Sequence, residues 1–544
     1  MGIAGALFAI AAAAVVAAWA WLGASVQMPP SPLASGEKLY CVSYTPFRGS
    51  QSPLGPEVPV DPRQIDEDLA QLKHVTDCVR TYSVDHGLDQ IAEIAKRHGI
   101  KVLQGLWLSN LPERSRWQVA TAIGLAKRFP DVIAAVIVGN EVLLRGEMGA
   151  PDLTRTIREV KSQVSMPVSY ADVWEFWLRN RDVASAVDFI TIHILPYWED
   201  FPIPARDAAA HVDAIRAQMV AAFPGKDVFV GEFGWPSAGR MREGALPSPV
   251  NQARTMHEVL EHAKRENYRV NLIEAYDQPW KRQLEGTVGG HWGLFGAYRR
   301  EAKFTWGGVV SNHPQWHWQA AGGVAFAAVI FAIALALGRR MKATGDVGGW
   351  LRIAAIATAP GILIGWTLAN VPLESLTVGD WLRSLAWAAA ALVSPVVGAA
   401  AVVSGTTAPT FAHVLGRAAQ RPRDPVALGL GVLRIALAVL AVQAALGLVF
   451  DPRYRDFLFA PLTAATVPLL LATRGKPAMK GKLLERWKRR LQAPAAETAV
   501  AATLTVSAIY IVGNESFANW QAVWFAAALL ALAFTLLQVQ DAPG

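Results

Sequence analysis

The spacing of apolar and polar residues divides the chain into three stretches. Residues 3–26 form an uncharged apolar run, long enough at 1.5 Å per residue to cross a bilayer. It has neither the basic start nor the short core of a cleaved signal, so an uncleaved anchor over residues 1–27 is expected. A Pro/Ser/Gly linker follows over residues 28–37. From Lys38 short apolar runs alternate with amphipathic stretches. The runs LYCVSY (39–44), CVRTYS (78–83), KVLQGLWL (101–108), AAVIVGNEV (134–142), PVSYADV (167–173), DFITIHIL (188–195), DVFVGEFGW (227–235) and VNLIEAYDQ (270–278) read as strands. Helical patterns lie over 62–75, 86–99, 115–129, 152–165, 205–223 and 251–267, with a short one near 174–184. Strands this apolar fit a parallel sheet buried on both faces. Eight of them with intervening helices predict an α/β fold, a (β/α)8 TIM barrel, over residues 38–312.

The third stretch, 319–538, holds seven apolar runs: 319–337, 351–369, 382–404, 426–450, 457–473, 498–513 and 519–537. Two of them are short for a span. Loops bearing Arg339, Arg340 and Lys342, then Arg417, Arg421 and Arg423, then the dense 474–490 run, alternate with the acidic 371–380 loop, the mixed 451–456 loop and the base-free 514–520 loop, so five of six loops follow the alternation. Basic loops stay cytoplasmic. That rule predicts eight spans counting the N-terminal one, both termini inside, and the barrel outside the cytoplasmic membrane.

Composition changes this picture little. The chain is 52% hydrophobic but only 17% charged, and the excess apolar content lies in the two outer stretches. The net charge of +7 draws much of its basic excess from the short loops between apolar runs, which argues against nucleic acid as a partner. Cys41 and Cys78 fall in the first two strands, which neighbour each other in such a barrel. An oxidising compartment would let them bridge. The plainer expectation is two small buried core residues. Neither cysteines nor histidines cluster at ligand spacing, so neither a metal nor a cofactor is expected.

Active sites of such barrels sit at the C-terminal strand ends. Glu141 closes the fourth strand, preceded by Asn140, and Glu232 lies in the seventh. A carboxylate among apolar residues is costly unless it is hydrogen-bonded or functional. Two from different strands form the pair that glycosidic-bond cleavage requires, one holding a proton and one ionised. Aromatics that offer flat faces to sugar rings gather at the same ends: Tyr44, Tyr82, Trp107, Tyr170, Tyr197, Trp198, Trp235, Tyr276, Trp280 and Trp292. Any one of them is equally well a core residue. Arg80 and Tyr82 point to the same end, to orient Glu232 or to form a structural ion pair. His193 reads as a satisfied polar residue near the pocket. Asp172 and Asp277 read as sugar ligands or loop caps.

VGNE (138–141) with VGEFGWPS (230–237) resembles glycoside hydrolase family 17, the β-1,3-glucanase and glucanosyltransferase family. HILPYW (193–198), YDQPWK (276–281) and HWGLF (291–295) are similar to its later strand ends, so the resemblance runs in order over about 38–306. It implies a retaining mechanism on β-1,3-linked glucan, with Glu141 as acid/base and Glu232 as nucleophile. It also implies substrate contacts from Asn140, Tyr44, Arg80, Tyr82, Tyr197, Trp235, Asp277, Lys281 and Trp292. Gln278 stands where the family often has Glu, a departure at the cleft rim. The expected partners are a β-glucan, possibly β-1,3;1,6-linked, the lipid bilayer and a membrane glucan-synthesis partner. The expected role is glucan remodelling or synthesis by glucosyl transfer. The alternative is an export component whose barrel binds glucan without cleaving it.

Overall fold

The computed structural model describes residues 2–55, 58–299, 301–341, 346–418, 421–472 and 494–538. Lys342 and the basic run at 474–490 lie outside the described residues. The chain forms two compact units: Val26–Val310, and Met1–Ser25 together with Ser311–Gly544.

The first unit is a closed eight-stranded barrel. Its strands are β1 (Cys41–Ser43), β2 (Cys78–Arg80), β3 (Lys101–Leu106), β4 (Ile133–Asn140), β5 (Val168–Val173), β6 (Ile190–His193), β7 (Val228–Phe233) and β8 (Val270–Leu272). Each pairs in parallel with its sequence neighbours, and β8 closes onto β1. All eight expected strands are present, shorter at their ends. Strand alternation sorts the side chains. Val42, Val79, Val102, Val136 and Val168 pack outward against helix residues such as Ile65, Leu69, Ile91 and Ile157. Cys41, Cys78, Leu103, Ala135, Ile137, Ala171 and Phe229 form a separate apolar cluster.

The cysteines correct the plainer expectation, because Cys41 and Cys78 form a disulfide with Cα atoms 4.4 Å apart. The register explains it. Val42 lies opposite Val79, so the residues before them face each other across β1 and β2.

Helices start where the sequence supplies caps. Asp61 accepts from the Arg63 amide ahead of Pro62–Leu72, and Ser248 accepts from the Asn251 amide ahead of Pro249–Arg265. A two-residue antiparallel ribbon, Val26–Gln27 with Val309–Val310, ties the ends of this unit together.

The second unit is helical. Among the described residues seven helices are long and apolar enough to cross a membrane: Ile3–Leu22, Trp316–Arg340, Val347–Glu374, Val378–Ser404, Pro425–Phe450, Ala495–Glu515 and Trp520–Leu537. The remaining expected run forms Phe459–Ala472, whose 14 residues cover roughly 21 Å of axis against the ~30 Å of a bilayer core. Small residues let the helices approach closely. A Cβ on Gly323 would meet the Gly361 carbonyl at 2.2 Å, with Val15 beside it.

Candidate active site

The site stands on a buried polar layer at the C-terminal ends of the barrel strands. Alternation along β2 and the residues after it puts Cys78, Arg80 and Tyr82 on one face. The buried Arg80 guanidinium sits at the centre. Nη2 donates to Asn140 Oδ1 at 2.7 Å, and Nη1 donates to the Gly231 carbonyl at 2.7 Å and to Glu232 Oε1 at 3.2 Å. A second chain converges on the same oxygen. Asn271 donates to Ser43 Oγ at 2.8 Å, Ser43 and the Tyr82 hydroxyl lie 2.6 Å apart, and Tyr82 donates to Glu232 Oε1 at 2.8 Å. Tyr82 has a single proton and Glu232 takes it, so Ser43 donates to Tyr82. Gly231 is needed because a Cβ there would lie 2.2 Å from Thr191 Cγ2 and 3.3 Å from Arg80 Nη1.

Glu141 is brought in by an irregular strand end. The β4–β5 register shifts between Ile137 and Asn140. Gly139 takes φ +89°, where a Cβ would lie 2.7 Å from Val142 Cγ2, and Glu141 itself takes φ 53°. A left-handed non-glycine residue persists only where its surroundings over-determine it. Here the Glu141 amide donates to the Ala171 carbonyl at 2.8 Å. Arg145 donates to the Asn140 and Leu108 carbonyls and lies 4.0 Å over the Trp107 ring. The Leu143 amide donates to the Tyr170 hydroxyl, which donates to Asp172. Burial pushes Asp172 up to about 6, and the charge of Glu141 adds to this.

His193 joins the two carboxylates. Its ring is fully buried, with Nε2 3.1 Å from Arg80 Nη1 and Nδ1 2.7 Å from Glu141 Oε1. Arginine only donates, so Nε2 accepts, the ring proton lies on Nδ1, and Nδ1 donates to Glu141. Burial pushes Glu141 up. The hydrogen bond donated by His193, followed by the charges of Arg145 and Arg80, outweighs burial and holds Glu141 below the usual carboxylate range. His193 Nε2 is also 3.5 Å from Glu232 Oε1. One ligand atom each from Glu141, His193 and Glu232 lies within 4.8 Å of the others. That spacing would suit a cation, but the donor set does not. Both ring nitrogens are engaged, and Arg80 already supplies positive charge against Glu232.

Of the expected substrate contacts, the structure gathers Asn140, Arg80 and Tyr82 around the glutamates. The others divide. Tyr44 is a correction: its ring is sealed in the core, and its hydroxyl donates to Asp68 at 2.9 Å. Tyr197 and Trp235 are sealed in the same way, donating to the Arg240 and Leu246 carbonyls, so neither presents a face to a sugar. Asp277 is a loop cap, accepting from Lys303 at 2.6 Å and the Gly293 amide at 2.9 Å. Trp292 is buried behind Trp198, stacked on it at 6.5 Å and 13°. Trp107, Trp198 and Trp280 are half-buried.

Lys281 donates to Glu274 Oε2 at 2.8 Å, while Glu274 Oε1 is buried without a partner among the described residues. Burial pushes Glu274 up to about 7 against the pull of Lys281, whose own ammonium is raised chiefly by Glu274 once its burial cost is overcome. These two directions disagree about which member absorbs the burial. The unpartnered carboxyl oxygen places it on Glu274. Sequence reasoning undervalued His193 and passed over Arg145 and Glu274. Only the strand-end position of the glutamate in VNLIEAYDQ signalled one of them.

Comparison with known proteins finds similarity over the barrel residues. Residues 41–293 match the family model described as the BtgE/BtgC glycoside hydrolase domain. A glucan 1,3-beta-glucosidase of Saccharomyces cerevisiae is 26% identical over 250 residues, covering 42% of this chain and 80% of its own length. A glucan 1,3-beta-glucosidase of Arthroderma benhamiae is 27% identical over 264 residues, covering 44% and 83%. Among solved structures, a glycoside hydrolase family 17 beta-1,3-glucanosyltransferase from Rhizomucor miehei is similar at 26% identity and TM-score 0.44, covering 49% of this chain and 97% of its own. The barrel is therefore similar to the BtgE/BtgC glycoside hydrolase domain and to glucan 1,3-beta-glucosidases over most of its length.

Proposed function

We propose that the barrel is a retaining enzyme acting on β-1,3-linked glucan, with Glu232 as nucleophile and Glu141 as acid/base. The observation that carries this reading is the spacing of the two glutamates. Oxygens of Glu141 and Glu232 lie within 4.8 Å of each other. Retaining pairs stand ~5–5.5 Å apart, whereas inverting pairs need ~6.5–9.5 Å to admit a water.

Glu141 protonates the leaving glycosidic oxygen while Glu232 attacks the anomeric carbon to form a glycosyl-enzyme. Arg80 and Tyr82 both donate to one oxygen of the attacking carboxylate and so aim it. Asn140 is pinned by Arg80 beside the nucleophile, where its amide reaches the sugar 2-hydroxyl. His193 keeps Glu141 ionised in the open site, the form that deprotonates the acceptor in the second step. A sugar ring closing over Glu141 deepens its burial and favours the protonated form that the first step needs. Attack by water shortens the glucan, and attack by a sugar hydroxyl extends or branches it. We further read the helical unit as a bundle in a cytoplasmic membrane with the barrel outside, because the basic loops alternate along the chain.

Azide rescue tests the roles. Glu141→Ala with azide should regain turnover and release the β-glucosyl azide, and Glu232→Ala should yield the α-anomer. The opposite pairing, or no azide product from either variant, refutes the assignment. Products longer than the starting laminari-oligosaccharide would mark transfer.

A further inference from the structure

Asn271 lies on β8 beside Cys41 of β1 and is fully buried. Its amide nitrogen donates to the Gly231 carbonyl at 2.7 Å and to Ser43 Oγ at 2.8 Å. Its amide oxygen is buried with no partner among the described residues, so the hydrogen bonding of this side chain within the protein is all donation. The Gly231 carbonyl only accepts and forces the NH2 end of the amide to face it. Turning the amide over would set two oxygens against each other at the same distance. Arg80 Nη1 donates to that carbonyl at 2.7 Å and to Glu232 Oε1 at 3.2 Å. One backbone oxygen thus anchors both routes that end on the nucleophile.

The orientation of Asn271 dictates where each proton between it and Glu232 lies. Ser43 accepts from Asn271, so its own proton goes to the Tyr82 hydroxyl 2.6 Å away. Tyr82 accepts from Ser43 and has its proton left for Glu232 Oε1 at 2.8 Å. Each hydroxyl has one proton to give, so reversing the first bond reverses the others. A Ser43 that donates towards position 271 accepts from Tyr82, and Tyr82 then turns a lone pair to the Glu232 carboxylate. We propose that Asn271 is a positioning residue for the nucleophile: its amide sets the direction of the Ser43–Tyr82 relay, so that the relay ends in a donor on Glu232. This inference rests on the nucleophile role proposed for Glu232.

Asn271→Asp tests the direction, because it keeps the shape and removes both amide protons. The new oxygen either carries charge or spends one proton on the Gly231 carbonyl, and in both forms it accepts from Ser43. The probe is a dinitrophenyl β-laminaribioside whose proximal 2-hydroxyl is replaced by fluorine, a substrate whose leaving group needs no acid. The readout is the rate of covalent labelling of Glu232 in the full-length chain, followed by intact mass and mapped by peptide. N271D should slow labelling ~10- to 100-fold, the loss of one hydrogen bond to a charged group. N271A only frees Ser43 to turn, and should slow it ~3-fold. Ser43→Ala cuts the relay, and adding either change to S43A should cost less than about twofold. A packing defect, or a buried charge acting through space, would slow both backgrounds alike. If N271D does not fold, N271A with and without Ser43 completes the same cycle. Unchanged labelling in the position 271 variants, or equal slowing with and without Ser43, overturns the proposal and leaves the nucleophile assignment standing. No label on Glu232 in the unaltered chain refutes that assignment, and this inference with it.

Discussion

Replacing His193 by phenylalanine preserves most of the ring volume and removes the one side chain that bridges both glutamates. Glu141 then loses its largest source of depression, the 2.7 Å hydrogen bond from Nδ1, and keeps only the more remote Arg145 and Arg80. A hydrogen bond to a charged group is worth roughly 1.5–3 kcal/mol, and at 1.36 kcal/mol per unit its loss raises Glu141 by about 1–2 pH units. Burial acts in the same upward direction once His193 is gone. The sign follows from the role. The basic limb of kcat/KM reports loss of the acid's proton, so a higher Glu141 pKa moves that limb to higher pH. The assay is the pH profile of kcat/KM on a β-1,3-gluco-oligosaccharide, with an aryl glucoside of low leaving-group pKa as control. That substrate needs no acid for its first step, so its basic limb should stay in place. A limb that does not move on the oligosaccharide, in a variant that still folds, would show that His193 does not set the protonation of Glu141.

Other expectations follow from the same contacts. Arg80→Met strands Glu232, Asn140 Oδ1 and the Gly231 carbonyl in a buried layer, and should cost about 3–5 kcal/mol in denaturant unfolding with loss of turnover. Cys41→Ser with Cys78→Ser opens a cross-link of sequence separation 37, which loop entropy values at about 4 kcal/mol, so the midpoint in guanidinium should fall. Glu274 binds its proton more tightly folded than unfolded, because its pKa moves from 4.5 to about 7. Stability should therefore fall by about 3 kcal/mol as pH rises through that interval and level off above it. Glu274→Gln should flatten that slope, and an unchanged slope would clear Glu274 of causing it.

Much of the barrel is legible in the order of residues alone. Strands buried on both faces read as continuous apolar runs, and the amphipathic segments between them have helical period, so eight alternations imply closure. The catalytic candidates are legible for the same reason, since a carboxylate at the end of an apolar strand stands out from its surroundings. The aromatics are harder to place. Trp235 and Trp198 look alike in sequence, yet one is sealed in the core with its indole donating to the Leu246 carbonyl and the other is half-buried.

Local pattern by itself determined which segments are strands, which helices are apolar enough for a bilayer, and which two glutamates end their strands. Tertiary structure alone decided that Cys41 meets Cys78, that Arg80 and Tyr82 share one oxygen of Glu232, and that His193 stands between the two carboxylates. Periodicity and hydropathy are properties of neighbouring residues, so they are written along the chain. Register, burial and hydrogen-bond partners are set by residues far apart in the chain, 152 positions for Arg80 and Glu232 and 228 for Ser43 and Asn271, and exist only once the barrel closes.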